Sequence, residues 1–188
     1  MKNIEYLSVI LKNKTIHISD ISQSYNCNRD IFNSKELTVL LKNLEQYLKT
    51  ERTIPYCFGL FMLEKIDKNI FKMTEGGQVL IKINIILSAI FRVISNRRKL
   101  NQYEIDIYEN FIKKDFHYTL HINSPNSQFF KDYIIDGILV DNGIVVDETD
   151  REMADAFDFH YQKFTKMSDL YLTSLLETID NSTCILRL

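Results

Sequence analysis

At 188 residues, with 45% hydrophobic and 26% charged side chains, the chain can bury a core of its own and needs no metal or disulfide staple. Two prolines and five glycines argue against long disordered linkers. Net charge is only −2 but lopsided: residues 1–101 carry 16 Lys/Arg against 9 Asp/Glu, a net +7, and residues 102–188 carry 7 against 16, a net −9.

Residues 2–11 hold Ile4, Leu7, Val9, Ile10 and Leu11 and read as a short helix. Glu5 interrupts this apolar run and no small-residue cleavage site follows, so the opening does not read as a signal peptide. A brief extended piece over 15–18 precedes a short helix over 19–25, capped by Ser19, and then a polar turn over 26–32. The clearest helix spans 34–49. Leu37, Leu40, Leu41, Leu44 and Leu48 form one stripe, and Lys35, Thr38, Lys42, Asn43, Glu45 and Lys49 face outward. Asn33 with Glu36 fits a capping box, with Ser34 as the competing cap.

Residues 62–67 and 70–73 read as two strands joined at Lys68-Asn69. Thr74 then caps an all-apolar helix to about Ser95. Its core, 79–94, is too short for a membrane span and contains Lys82, Asn84 and Arg92, so it reads as a buried helix. Arg97, Arg98 and Lys99 close it, either complementing the helix dipole or binding phosphate.

Asn101 and Glu104 predict a second capping box, opening a helix to Phe116. A strand over 118–122 and a short helix over 125–135 follow. Asn142-Gly143 marks a hairpin over 138–146. From 150 to 179 the stripe Met153, Phe157, His160, Phe164, Met167 and Tyr171 predicts one long helix, or two broken at Ser168-Asp169. That stripe packs on its own core or pairs two copies into a homodimer.

The order helix, short helix, amphipathic helix, hairpin, helix over residues 2–95 resembles a winged helix-turn-helix. IFKMTEGGQVL (70–80) is similar to the end of a wing strand and the start of the next helix. FGLFMLEKIDKN (58–69) is similar to the approach to the wing, and residues 50–61 stand as an insertion before it. The resemblance implies that 34–49 is the recognition helix, with Lys35, Thr38, Lys42 and Lys49 toward double-stranded DNA and Lys65 and Lys68 on the wing.

The second half supplies a competing chemistry. Asp141, Asp147, Glu148, Asp150 and Glu152 lie in an acidic stretch whose only cation is Arg151. Such a surface engages a basic protein partner, as an immunity or counter-defence inhibitor would. No DxDxDG loop, P-loop, GxGxxG, GxSxG or zinc spacing occurs, so no metal, no cofactor and no enzymatic activity is expected. His117 and His121 are four apart, but on a strand they stand about 13 Å apart, too far to share a metal. Three cysteines, at 27, 57 and 184, fit reduced thiols in a cytoplasmic protein with no membrane segment.

The expected architecture is therefore α+β and predominantly α-helical. A basic winged-helix-like part, 1–99, leads into an acidic, mainly helical part, 100–188, with one hairpin; the two also read as one continuous domain. The expected function is a non-enzymatic DNA-binding transcriptional regulator, with the protein-binding inhibitor as the alternative.

Overall fold

Every side chain from Leu80 to Phe91 is buried, and the helix that carries them, α3 (Gly77–Arg97), is the axle of the molecule. An apolar helix with no polar face has to be enclosed on all sides. It is the one helix among the described residues with the length and hydropathy of a membrane span, and 78% of that window is buried inside the protein. The computed structural model describes residues 3–18, 34–123, 126–138 and 147–188. The expected helix over 19–25, the Asn33 cap and the 138–146 hairpin with Asp141 lie outside the described residues, apart from Ile138 itself.

In chain order the elements begin with β1 (Asn3–Tyr6), α1 (Leu7–Leu11), β2 (Thr15–Ile18) and α2 (Ser34–Tyr47). The hairpin β3 (Cys57–Lys65) and β4 (Ile70–Glu75) leads into α3, then α4 (Gln102–Phe111), β5 (Lys113–Lys114), β6 (His117–Tyr118) and β7 (Leu120–Ile122). A helical turn α5 (Ser127–Phe129) passes into a π-helical turn, Phe130–Ile135. The chain finishes with α6 (Glu148–Phe164), α7 (Asp169–Asp180) and β8 (Thr183–Arg187).

The fold is mixed α+β. Six strands form one mixed sheet in the order β1-β8-β3-β4-β2-β7, drawing on both ends of the chain. Residues 3–6, expected as the start of a helix, are instead a strand. Asn3–Tyr6 pairs antiparallel with the terminal strand β8, and this long-range ladder overrides the local helical pattern. β8 then pairs parallel with β3, with a register shift between Cys57 and Leu60 where Gly59 takes φ 97. The β3–β4 hairpin lies inside the sheet, flanked by β8 and β2, with its turn exposed.

Alternation sorts the sheet into two faces. Ile16, Ile18, Phe61, Leu63, Met73, Leu120, Ile122 and Cys184 are buried toward the helices. Ile4, Leu60, Met62, Glu64, Lys72, His17 and His121 occupy the other face, exposed or half-buried. α3 meets α6 most extensively and also touches α2, α4 and α7. α3 and α6 run parallel. The Arg92 guanidinium lies 4.4 Å from the Phe157 ring centre, and Asn96 Nδ2 donates to Tyr161 Oη at 3.1 Å.

Caps fix the helix boundaries. The Asn101–Glu104 box is formed on both sides, as expected. The 150–179 pattern resolves into two helices, with Ser168 capping α7 by accepting from Tyr171 N. Met153, Phe157, His160 and Phe164 of that pattern are buried in the chain's own core. α3 starts at Gly76-Gly77, not at Thr74. A Cβ on Gly76 would stand 2.4 Å from Phe61 Cδ1, and one on Gly77 would stand 2.9 Å from Ile18 Cγ2. The two glycines therefore serve close strand-to-helix packing.

Candidate nucleic-acid interface

α2 buries Leu37, Leu41 and Leu44 completely, and this fixes which side of the helix looks outward. Lys35 and Lys42 are exposed two turns apart, a rise of about 10.5 Å, with Lys49 one heptad further on, just past the helix. Thr38 is half-buried beside them, and Val39 and Gln46 extend the same exposed stripe.

Both carboxylates of the helix are engaged in ion pairs, although the Glu36 side chain stays 48% exposed. Glu36 pairs with Lys82 of α3, and Glu45 accepts from Lys163 of α6 at 2.8 Å. The outward charge is thus lysine, for a reason the helical pattern does not reveal: α2's acids are consumed in holding it to its neighbours. Lys65 and Lys68 flank the exposed β3–β4 turn, where Asp67 Oδ1 accepts from the Lys68 backbone N–H at 2.7 Å. Among the described residues Lys42, Lys49, Lys65 and Lys68 take part in no ion pair.

The basic triplet divides between its two readings in favour of structure. Arg97 donates to the carbonyls of Thr165 and Met167 at the end of α6 and pairs with Asp169 at 2.7 Å. Arg98 grips Glu104 with both terminal nitrogens, at 2.6 and 2.7 Å, and reaches Asp169 at 3.2 Å. Bonds from Arg98 hold the buried Glu104 carboxyl below its ordinary pKa. Lys99 alone of the three remains outward.

The acidic set is likewise partly spent on structure. Asp147 caps α6, accepting from Asp150 N at 2.9 Å, and also receives Asn126 Nδ2. Asp150 completes that box from a position 3% exposed. Burial raises the Asp150 pKa, while the bond from the Asp150 backbone lowers that of Asp147. Glu148 is exposed and Glu152 half-buried; Asp141 lies outside the described residues.

His17 and His121 stand opposite each other on the parallel pair β2–β7, rings stacked with centroids 5.2 Å apart, an arrangement that does not converge their nitrogens on a metal. Burial, then Lys131, His17 and His117, push the His121 imidazole below its ordinary pKa. His160 is fully buried, with Nδ1 2.8 Å from Ala156 O and Nε2 without a partner. No group of three metal-ligating side chains occurs among the described residues. Burial pushes the Cys184 thiol up to about 12, so it stays protonated.

The residues that sequence reasoning missed lie beyond the hairpin. Lys12 precedes β2, and Phe116, 89% exposed, tops the β5–β6 turn. The preceding helix ends at Phe111, short of the expected Phe116. Asp115, at φ 53, turns the chain there and sends it outward. No family model matches the chain, and no curated protein matches it either. The winged-helix resemblance rests on the sequence pattern alone.

Proposed function

We propose that this chain is a non-enzymatic DNA-binding regulator, with α2 as the recognition helix and the β3–β4 turn as its wing. One observation carries the reading. α2 directs both of its carboxylates to Lys82 and Lys163, leaving Lys42 and Lys49 to define its outer face. A lysine face of this kind binds phosphates by charge and releases counterions as it does so. Thr38 and Gln46 offer the polar groups that reach base edges.

Fluorescence anisotropy with a labelled duplex tests it. Each lysine that contacts phosphate contributes about 0.9 to the slope of log affinity against log salt. Lys42→Ala with Lys49→Ala, and separately Lys65→Ala with Lys68→Ala, should each weaken binding and flatten that slope by roughly one to two. Absence of duplex binding at low salt, or full binding by both double variants, overturns the reading.

A second reading draws on α6, where Glu148, Glu152 and Asp155 share one helical face with the 54% exposed ring of Phe159. That face suits a basic protein partner. It predicts a complex weakened by Glu148→Gln with Glu152→Gln and no duplex binding at all.

A further inference from the structure

Three parallel strands, β4, β2 and β7, lie side by side, with Thr15 opposite Ile70 and Ile16 opposite Leu120. Because they are parallel and in step, they all begin at one end of the sheet. The segments that feed them are therefore brought together. Thr15 N donates to Asn69 O at 2.8 Å and Ile16 N to Thr119 O at 2.8 Å, tying the segments before β4 and β7 to the start of β2.

Each feeding segment carries lysine. The turn before β2 bears Lys12, the end of β3 and the turn before β4 bear Lys65 and Lys68, and the β5–β6 hairpin before β7 bears Lys113 and Lys114. Lys113 is held by Asp136 at 2.9 Å and Lys114 by Glu109 at 3.1 Å, while Lys12, Lys65 and Lys68 are exposed and in no ion pair among the described residues. The two outer segments each add an exposed apolar side chain. Ile66 is 58% and Phe116 89% exposed. With β2 between them, the paired starts of β4 and β7 stand about 10 Å apart.

An aromatic ring held out in water beside unneutralised lysines is the arrangement that binds unstacked bases, with the cations taking the phosphates and the ring taking a base face. Duplex DNA offers no free base face to such a ring. Resting on the nucleic-acid reading above, we infer that this end of the sheet is a further contact surface, sharing Lys68 with the wing and selective for single-stranded nucleic acid. Phe116 stacks on a base and Lys12 and Lys68 hold the backbone.

The test compares a labelled oligo-dT single strand with a duplex of equal length, by anisotropy, for the full chain and for Phe116→Ala, Phe116→Trp, and Lys12→Ala with Lys68→Ala. Phe116 lies outside the core, so circular dichroism should be unchanged in its variants. Phe116→Ala should weaken oligo-dT binding roughly tenfold or more while shifting duplex binding less than twofold, and Phe116→Trp should restore it. The lysine pair should flatten the salt dependence on oligo-dT. If the wild type binds duplex but Phe116→Ala changes oligo-dT affinity less than twofold, this inference falls and the α2 reading stands. If the wild type binds neither strand form, both fall. Binding to phosphatidylserine vesicles without oligonucleotide binding also overturns it, since the ring would then be a membrane anchor.

Discussion

Replacing Arg98 by alanine should be among the most damaging changes on the protein surface. Glu104, at 0% exposure, receives Arg98 Nη1 at 2.7 Å, Arg98 Nη2 at 2.6 Å, Asn101 N at 2.9 Å and, weakly, Thr173 Oγ1 at 3.4 Å. Arg98→Ala leaves that carboxylate buried with one good donor. Breaking a buried pair costs about 3–5 kcal/mol; with the Arg98 side chain 35% exposed, water recovers part, and about 2–3 kcal/mol is expected. For a chain of this size that lowers Tm by roughly 4–12 °C. Glu104→Gln keeps the shape but sets an amide donor against the guanidinium, so the single variants and their double form a cycle with a coupling of about 1–3 kcal/mol. The pH dependence follows from the same pair. The native Glu104 pKa is depressed, so its contribution is complete above the ordinary value of 4.5 and is lost as pH falls toward the lowered native value. Thermal and urea unfolding at pH 7 and pH 4, followed by circular dichroism, read the Tm loss and the free energies. A Tm drop under 2 °C for Arg98→Ala, or strictly additive variants, refutes the reasoning.

Two further outcomes follow from buried geometry. His160 donates Nδ1–H to the Ala156 carbonyl, which leaves Nε2 as the bare, unpartnered acceptor, and burial lowers its pKa from 6.5. Native stability from this group is complete above about pH 6.5 and declines below it by up to about 1.4 kcal/mol per pH unit, a slope that His160→Leu should reduce in urea titrations at pH 7.5 and 5.5; an unchanged slope counts against it. Gly76→Ala meets both a φ of 88 and Phe61 at 2.4 Å and should cost about 2–4 kcal/mol, whereas Gly59→Ala, at φ 97 with nothing within 4 Å, should cost only about 1 kcal/mol; equal Tm losses would show that the close contact does not matter.

Local pattern reveals the elements whose identity is decided locally. The leucine stripe of α2, the all-apolar run of α3, the box at Asn101 and the break at Ser168 all come from periodicity and capping chemistry within a few residues. β1 and β8 are different. Neither alternates cleanly; β1 is a strand because β8 lies about 180 residues away to pair with it, and β8 because β1 and β3 flank it. The same divide runs through the candidate interface. Helical spacing places Lys35, Lys42 and Lys49 on one face, but only tertiary packing shows Glu36 and Glu45 engaged in ion pairs. No spacing rule joins Lys12, Lys68 and Phe116. The parallel register of three strands brings the segments that carry them to one end of the sheet.

The charge asymmetry of the sequence changes character on folding. Acids of the second half do fold back on the first: Asp169 and Glu104 take up Arg97 and Arg98. What they take up is arginine. Arg92 donates to Tyr133 O and Ile134 O, so Arg92, Arg97 and Arg98 are tied into the fold by carbonyls or carboxylates, while exposed Arg52 makes a single bond to Leu48 O. The cations left outward at the proposed contacts are lysines: 12, 42, 49, 65 and 68. A lysine is a point charge that suits phosphate, while the strongest base-edge reading, two bonds to guanine, is mainly an arginine task. On the proposed reading, such an interface would draw its affinity from the backbone and tolerate sequence changes widely, with any sequence selectivity left to Thr38 and the uncharged polar groups of α2.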